Sequence, residues 1–225
     1  MSAGNTIAMK MADGQTIGVY HAEPEGARRG GLVAIQEIFG VTDHIKSVCD
    51  AYAADGYEVL APSLFDRQAP GFVSGYTPEE MQKGAALAYG APLERRVADA
   101  QACIDALKGK GPVFIVGYCF GGSVTWAAAC RCTGLAAASS YYGKLAPDMA
   151  DEAPQCPAAC HFGKTDASIP LDAVEKLRVK RPEVAVYLYD AGHAFNNSDR
   201  PEAYHEASAT LARERTLDLF RRNGG

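Results

Sequence analysis

The sequence predicts an α/β protein: a mostly parallel twisted sheet of about eight strands, helices on both faces, and an antiparallel hairpin at the N-terminal end. Three observations carry that reading. Short, largely apolar runs recur at 31–35, 57–61, 113–116, 135–142, 157–163 and 184–189. Segments with apolar residues at helical spacing alternate with them. No linker or internal repeat divides the 225 residues, so one domain spanning 1–225 is expected.

Each element follows from local signals. Residues 6–11 and 15–20 flank Asp13-Gly14, and Asp-Gly between strand patterns is a hairpin signal. Gly31 to Ile35 is a short buried strand. Thr42 suits a helix cap, Ile45, Val48, Cys49, Tyr52 and Ala53 share one helical face, and Gly56 ends that helix. Tyr57 to Ala61 is the next strand, stopped by Pro62. Residues 62–77 are a Pro/Gly-rich loop, long enough to suggest a function. Pro78 opens a helix to about Tyr89. Leu93, Val97, Ala100, Ile104 and Leu107 mark another, which runs into Gly109 and Gly111. Val113 to Val116 is a buried strand, and a helix follows over Ser123 to Ala129. Two more strands, 135–142 and 157–163, precede a short helix at 172–179 and a last strand at 184–189. The closing helix, 201–222, carries Ala203, Ala207, Leu211, Leu217 and Phe220.

The totals exclude several classes. With 48% hydrophobic and 22% charged residues and no low-complexity tract, the chain is neither disordered nor collagen-like. A net charge of −5 leaves no basic footprint for nucleic acid. No apolar run approaches the roughly 18 residues of a membrane span. Met1 to Asn5 show no signal-peptide pattern. Seven cysteines at irregular spacings argue for reduced thiols and a cytoplasmic protein. Cys130-x-Cys132 and Cys156-x-x-x-Cys160 depart from zinc-ligand spacings, so no metal is expected. No Gly-x-Gly-x-x-Gly follows the first strands, so no dinucleotide and no other cofactor is expected.

Chemistry concentrates where strands end. Gly117-Tyr118-Cys119-Phe120-Gly121-Gly122 lies between strand and helix, the layout of a nucleophile elbow. Such a turn strains its central residue and needs small neighbours. It exposes the Cys119 sulfur and sets the Phe120 N–H at a helix N-terminus, where it can stabilise an oxyanion. The competing reading is a buried structural cysteine at a glycine-rich turn. Asp166 and His193 follow the next-to-last and last strands, in the order nucleophile, acid, histidine of α/β-hydrolases. His193 would handle the thiol proton, and Asp166 would orient the imidazole. Asp166 ahead of Ser168-Ile169-Pro170 also suits a turn, and His193 a cap. Glu37 follows the strand at 31–35, and Ile38 beside it is the natural second oxyanion donor.

Six segments make the chain resemble the dienelactone hydrolase (carboxymethylenebutenolidase) family, small α/β-hydrolases with a cysteine nucleophile. They are Ala34-Ile35-Gln36-Glu37-Ile38-Phe39-Gly40-Val41, Arg67-Gln68-Ala69-Pro70-Gly71, Val116 to Gly122, Tyr141-Tyr142-Gly143, Gly163-Lys164-Thr165-Asp166 and Ala191-Gly192-His193-Ala194-Phe195. The resemblance implies hydrolysis of dienelactone to maleylacetate by a Cys119–His193–Asp166 triad, in a monomer. It also implies that Glu37 contacts the resting thiol and takes its proton when substrate arrives. Family members hold the substrate carboxylate with two arginines. The matching helix here reads Glu79-Glu80-Met81-Gln82-Lys83, and the position four after His193 is Asn197. Lys83 or Arg200 would have to substitute, and Tyr76, Tyr89, Tyr141 and Tyr142 suit a more neutral pocket. A related ester, lactone or thioester is therefore the rival substrate. A non-catalytic hydrolase scaffold with a reactive thiol is the rival outside enzymes.

Overall fold

Asp13-Gly14 turns the chain between β1 (Asn5–Lys10) and β2 (Thr16–Ala22), which pair antiparallel as expected. The described residues, 3–225 of this computed structural model, add β3 (Gly30–Ile35), β4 (Tyr57–Pro62), β5 (Val113–Tyr118), β6 (Ala137–Tyr141), β7 (Ala158–Gly163) and β8 (Ala185–Tyr189). The eight strands form one sheet in the order β1-β2-β4-β3-β5-β6-β7-β8. β2 runs antiparallel to β4, and the pairs from β4 through β8 are all parallel. The carboxyl ends of β3 to β8 therefore share one edge, the edge where open α/β sheets bind ligands.

Strands β3 to β7 are buried throughout, because helices cover both faces. α1 (Asp43–Ala54) and α7 (Glu206–Arg222) cover one face, where Phe220 stacks on Phe114 at 4.6 Å. α3 (Leu93–Leu107) and α4 (Phe120–Arg131) cover the other. Every residue of α4 up to Cys130 is buried, as its all-round apolar sequence requires. α2 (Pro78–Tyr89), α5 (Leu145–Asp148) and α6 (Leu171–Lys180) complete the layers. No helix among the described residues is long and apolar enough to cross a membrane.

The closing helix departs from expectation. It starts at Glu206, not 201, and Ala203 precedes it. Ala207 and Leu211 face outward, and the buried face is Ser208, Ala209, Ala212, Thr216, Leu217 and Phe220. A count of apolar residues misses this face because it is partly polar. The Thr216 hydroxyl lies 2.8 Å from both Ser139 Oγ and Tyr141 Oη, and buried polar atoms so paired are tolerated. His161 joins the same network through Ser139 and Tyr189, and burial lowers its pKa to about 3.

The long loop, 63–77, forms no helix and none of the eight strands, yet two cations pin it. Arg67 donates to both oxygens of the buried Asp99 on α3, at 2.6 and 2.7 Å, and to Asp13 in the hairpin turn. Arg96, fully buried, donates to the carbonyls of Leu64 and Leu87 and to Gln68 Oε1. Replacing Arg67 with Met strands the Asp99 carboxylate, which should cost about 3 kcal/mol. Urea unfolding would show this as a lower midpoint at unchanged slope. A wild-type midpoint would mean that the ion pair contributes nothing net.

Candidate active site

Cys119 has φ 57 and ψ −116, a left-handed conformation rare outside glycine. Its neighbours make this geometry fit. A Cβ on Gly117 would lie 2.2 Å from the Gly121 carbonyl oxygen, and one on Gly121 would lie 2.4 Å from the Ile35 oxygen. The turn can close only with glycine at both. The Cys119 N–H donates to the Tyr141 carbonyl at 3.0 Å, which ties the turn to β6. Directly after Cys119, Phe120 begins α4, so its N–H is one of the unpaired donors of a helix start. Cys119 is partly exposed, whereas the other six cysteines are buried and all seven are free of disulfides.

The loops after β7 and β8 bring Asp166 and His193 to the same edge. His193 Nδ1 and Asp166 Oδ2 are 2.6 Å apart. Asp166 Oδ1 accepts from the Ser168 N–H at 2.8 Å and from its hydroxyl at 2.6 Å. The turn reading and the site reading of Asp166 thus hold together, one oxygen serving each. Burial pushes the Asp166 pKa up, but its bonds to His193 and Ser168 outweigh this and lower it. Burial disfavours a charged His193; the bonds to Asp166 and to the Cys119 thiol overcome it and raise its pKa to about 10. Both neighbours thus favour the imidazolium form of the ring. Ala194, the next residue, also has positive φ, at 60°.

Glu37, on the loop after β3, is 1% exposed. Its Oε2 accepts from Asn197 Nδ2 at 2.6 Å, and its Oε1 has no hydrogen-bond partner. Among the described residues no hydrogen bond joins Glu37 to the resting thiol; its hydrogen-bond partner is Asn197. Burial dominates the Glu37 pKa, pushed up to about 7 against the His193 charge and the Asn197 bond. Gln36 steadies the loop, its Oε1 accepting from the Leu64 N–H at 3.1 Å. Helix α2 packs so closely that a Cβ on Gly84 would lie 2.2 Å from the Ile38 carbonyl oxygen.

These groups line one cleft of about 590 Å³. Cys119, Phe120, His193, Asp166, Glu37 and Ile38 line it together. Phe39, Met81, Ala85, Tyr89 and Tyr142 make its walls largely apolar. A thiol, a histidine–carboxylate pair and a dehydrated carboxyl gathered in such a cleft suit acyl transfer.

Residues 17–224 match the model of the dienelactone hydrolase family. The chain belongs to this family. It is 30% identical to carboxymethylenebutenolidase 1 of Cupriavidus pinatubonensis, the alignment covering 95% of each protein. A Salmonella typhimurium protein provisionally named carboxymethylenebutenolidase is 34% identical, over 100% of this chain and 89% of its own. A crystal structure from Klebsiella pneumoniae, provisionally described as a dienelactone hydrolase, superposes with TM-score 0.84 at 30% identity, covering 98% of this chain and 99% of its own. The family makes the chain a carboxylic ester hydrolase with the α/β-hydrolase fold.

The two cations expected at the substrate end, Lys83 and Arg200, are placed differently. Lys83 lies exposed on α2 and outside the cleft. Met81, Ala85 and Tyr89 point into it at i, i+4 and i+8, and a residue two positions from Met81 falls about 200° around the helix. Arg200 lines the cleft, its guanidinium 5.6 Å from the Tyr76 ring centre and its Nε 2.9 Å from Glu202 Oε1. Tyr76 sits behind the lining, where its hydroxyl accepts from Asn197 Nδ2 at 3.4 Å. Ser168 and Lys144 also line the cleft, and neither belongs to a motif that marks it in the sequence. The one available signal for Lys144 was its place just past the end of a strand, the position that marked Glu37.

The dehydrated Glu37 has a measurable consequence. A carboxyl with a raised native pKa holds its proton more tightly when folded, so its contribution to stability falls as pH rises through about 7. Glu37→Gln keeps an oxygen for Asn197 but cannot ionise. Relative to that variant, wild type should lose about 3 kcal/mol of unfolding free energy between about pH 5 and pH 8. Urea titrations at both pH values measure the difference, and a constant gap would place the Glu37 pKa at its ordinary value.

Proposed function

We propose that the chain hydrolyses a lactone or ester through a thioester on Cys119, with dienelactone, opened to maleylacetate, as the leading substrate. The observation that carries this reading is the Cys119–His193–Asp166 arrangement, with its 2.6 Å histidine–carboxylate contact. The substrate is suggested by the names of the relatives.

The proposed steps assign each proton. His193 is favoured in its protonated form, so Glu37 is the available base, and its unpartnered Oε1 is the atom free to take the thiol proton. The sulfur then attacks the carbonyl carbon, and the Phe120 and Ile38 N–H groups stabilise the oxyanion. As the C–O bond breaks, the imidazolium gives its proton to the leaving oxygen. Neutral His193 next takes a proton from water, whose oxygen attacks the thioester. The C–S bond breaks, and the sulfur recovers its proton from Glu37. Asp166 keeps the imidazole oriented and favours its cation. The net change is ester plus water to acid plus alcohol.

Turnover of cis- and trans-dienelactone, followed by ultraviolet absorbance beside p-nitrophenyl acetate, tests the reading. Cys119→Ala should lose roughly 1,000-fold or more in kcat/KM, and Cys119→Ser should fold but recover little of it. Near wild-type rates in either variant would overturn the thioester route. Fast turnover of the acetate beside slow turnover of dienelactone would shift the substrate to neutral esters or lactones, which the apolar walls also suit.

Glu37→Gln should lower kcat for acylation far more than it raises KM. A base must be ionised to act, so the wild-type rate should rise with pH through about 7 and then level. The variant should lack that limb. A rise in KM alone would count against the assignment.

A further inference from the structure

We infer that Lys144 is a specificity-determining residue, its ammonium at the cleft receiving a carboxylate that the substrate carries away from the scissile carbonyl. The inference rests on the hydrolase reading above and adds the residue that selects the substrate.

The backbone around Lys144 is tied to the nucleophile turn from several sides. Tyr141, three residues earlier, accepts the Cys119 N–H at 3.0 Å. The Ser140 hydroxyl donates to the Gly122 carbonyl at 2.9 Å. On the far side, the Leu145 N–H donates to Ser123 Oγ at 3.1 Å. Between these bonds, Gly143 fits so closely that a Cβ there would lie 2.5 Å from the Gly122 carbonyl carbon. Tyr142 is held at φ 38, a conformation that a bulky residue adopts only when its surroundings enforce it. The Lys144 Cα thus has a set position relative to Cys119, while its exposed side chain lines the cleft.

Charge matching singles this lysine out among the groups of the cleft. Asp166 is paired with His193, Glu37 is hydrogen-bonded to Asn197, and Arg200 is bound by Glu202 over the Tyr76 ring. Lys144 has neither an ion pair nor a hydrogen bond among the described residues. On a chain of net charge −5, an unmatched cation beside an apolar cleft is a local attractor for anions. One ammonium matches the single charge of a carboxylate, and the apolar walls accept the carbon chain between it and the ester. A lysine lacks the two-pronged fork of an arginine, so the selectivity should be moderate.

The test compares the 4-nitrophenyl monoester of glutaric acid with 4-nitrophenyl pentanoate, which is similar in length and uncharged. In Lys144→Gln, the ratio of kcat/KM for the acidic over the neutral ester should fall roughly five- to ten-fold, mostly through KM. Lys144→Glu should lower the ratio further, Lys144→Arg should keep it, and 0.5 M salt should compress all the differences. An unchanged ratio in Lys144→Gln and Lys144→Glu would overturn the inference. It would leave the hydrolase reading intact wherever Cys119→Ala still abolishes turnover. Isothermal titration with glutarate, read without turnover, checks binding alone: the wild type should bind it several-fold more tightly than Lys144→Gln, and equal affinity would count against Lys144 whatever the reaction.

Discussion

The left-handed backbone of Cys119 is the constraint on which the rest of the site depends. Such a conformation costs about 1–3 kcal/mol and persists only where the surroundings over-determine it. Here they do so through main-chain contact. Gly117 meets Gly121, Gly121 lies against the carbonyls of Ile35 and Gln36, and the Cys119 N–H is bound to Tyr141. These contacts also hold the two flanking strands against the turn. β3 therefore delivers Glu37 and Ile38 to one side of the sulfur, and β6 delivers Tyr142 and Lys144 to the other.

Two carboxyl groups at this site are driven in opposite directions by their surroundings. Asp166 is buried, but its hydrogen bonds outweigh burial and keep it ionised beside His193. Glu37 is buried with one amide donor and one empty oxygen, so its proton is held near neutrality. Separated acidities of this kind let one carboxylate stay a fixed charge while the other exchanges a proton. Asn197 is central to the contrast. A neutral amide orients Glu37 without supplying the positive charge that would keep it ionised.

The buried cations serve a different end from those of the cleft. Arg67 and Arg96 satisfy carbonyls and a buried aspartate, turning the long loop after β4 into a firm support. That support reaches the site through Ser74, whose N–H donates to the Phe39 carbonyl at 3.0 Å. The loop's role is thus to hold the strand-end segment that carries Glu37 and Ile38.

Much of this was legible in the sequence, because it is written in local patterns. The succession of strands and helices, the elbow around Cys119 and the placing of Asp166 and His193 after strand ends follow from apolar runs, glycine spacing and the rule that parallel strands end at one edge. What only the tertiary structure decided depends on the angular position of a side chain or on its partner across the chain. Helical phase turned Lys83 away from the cleft and gave α7 a partly polar buried face. Asn197, 160 residues away in the sequence, is the hydrogen-bond partner of Glu37. Lys144 stands out only once its neighbours' charges are seen to be matched and its own is not. Chain order determines which residues reach the edge of the sheet, and packing in three dimensions determines which of them meet.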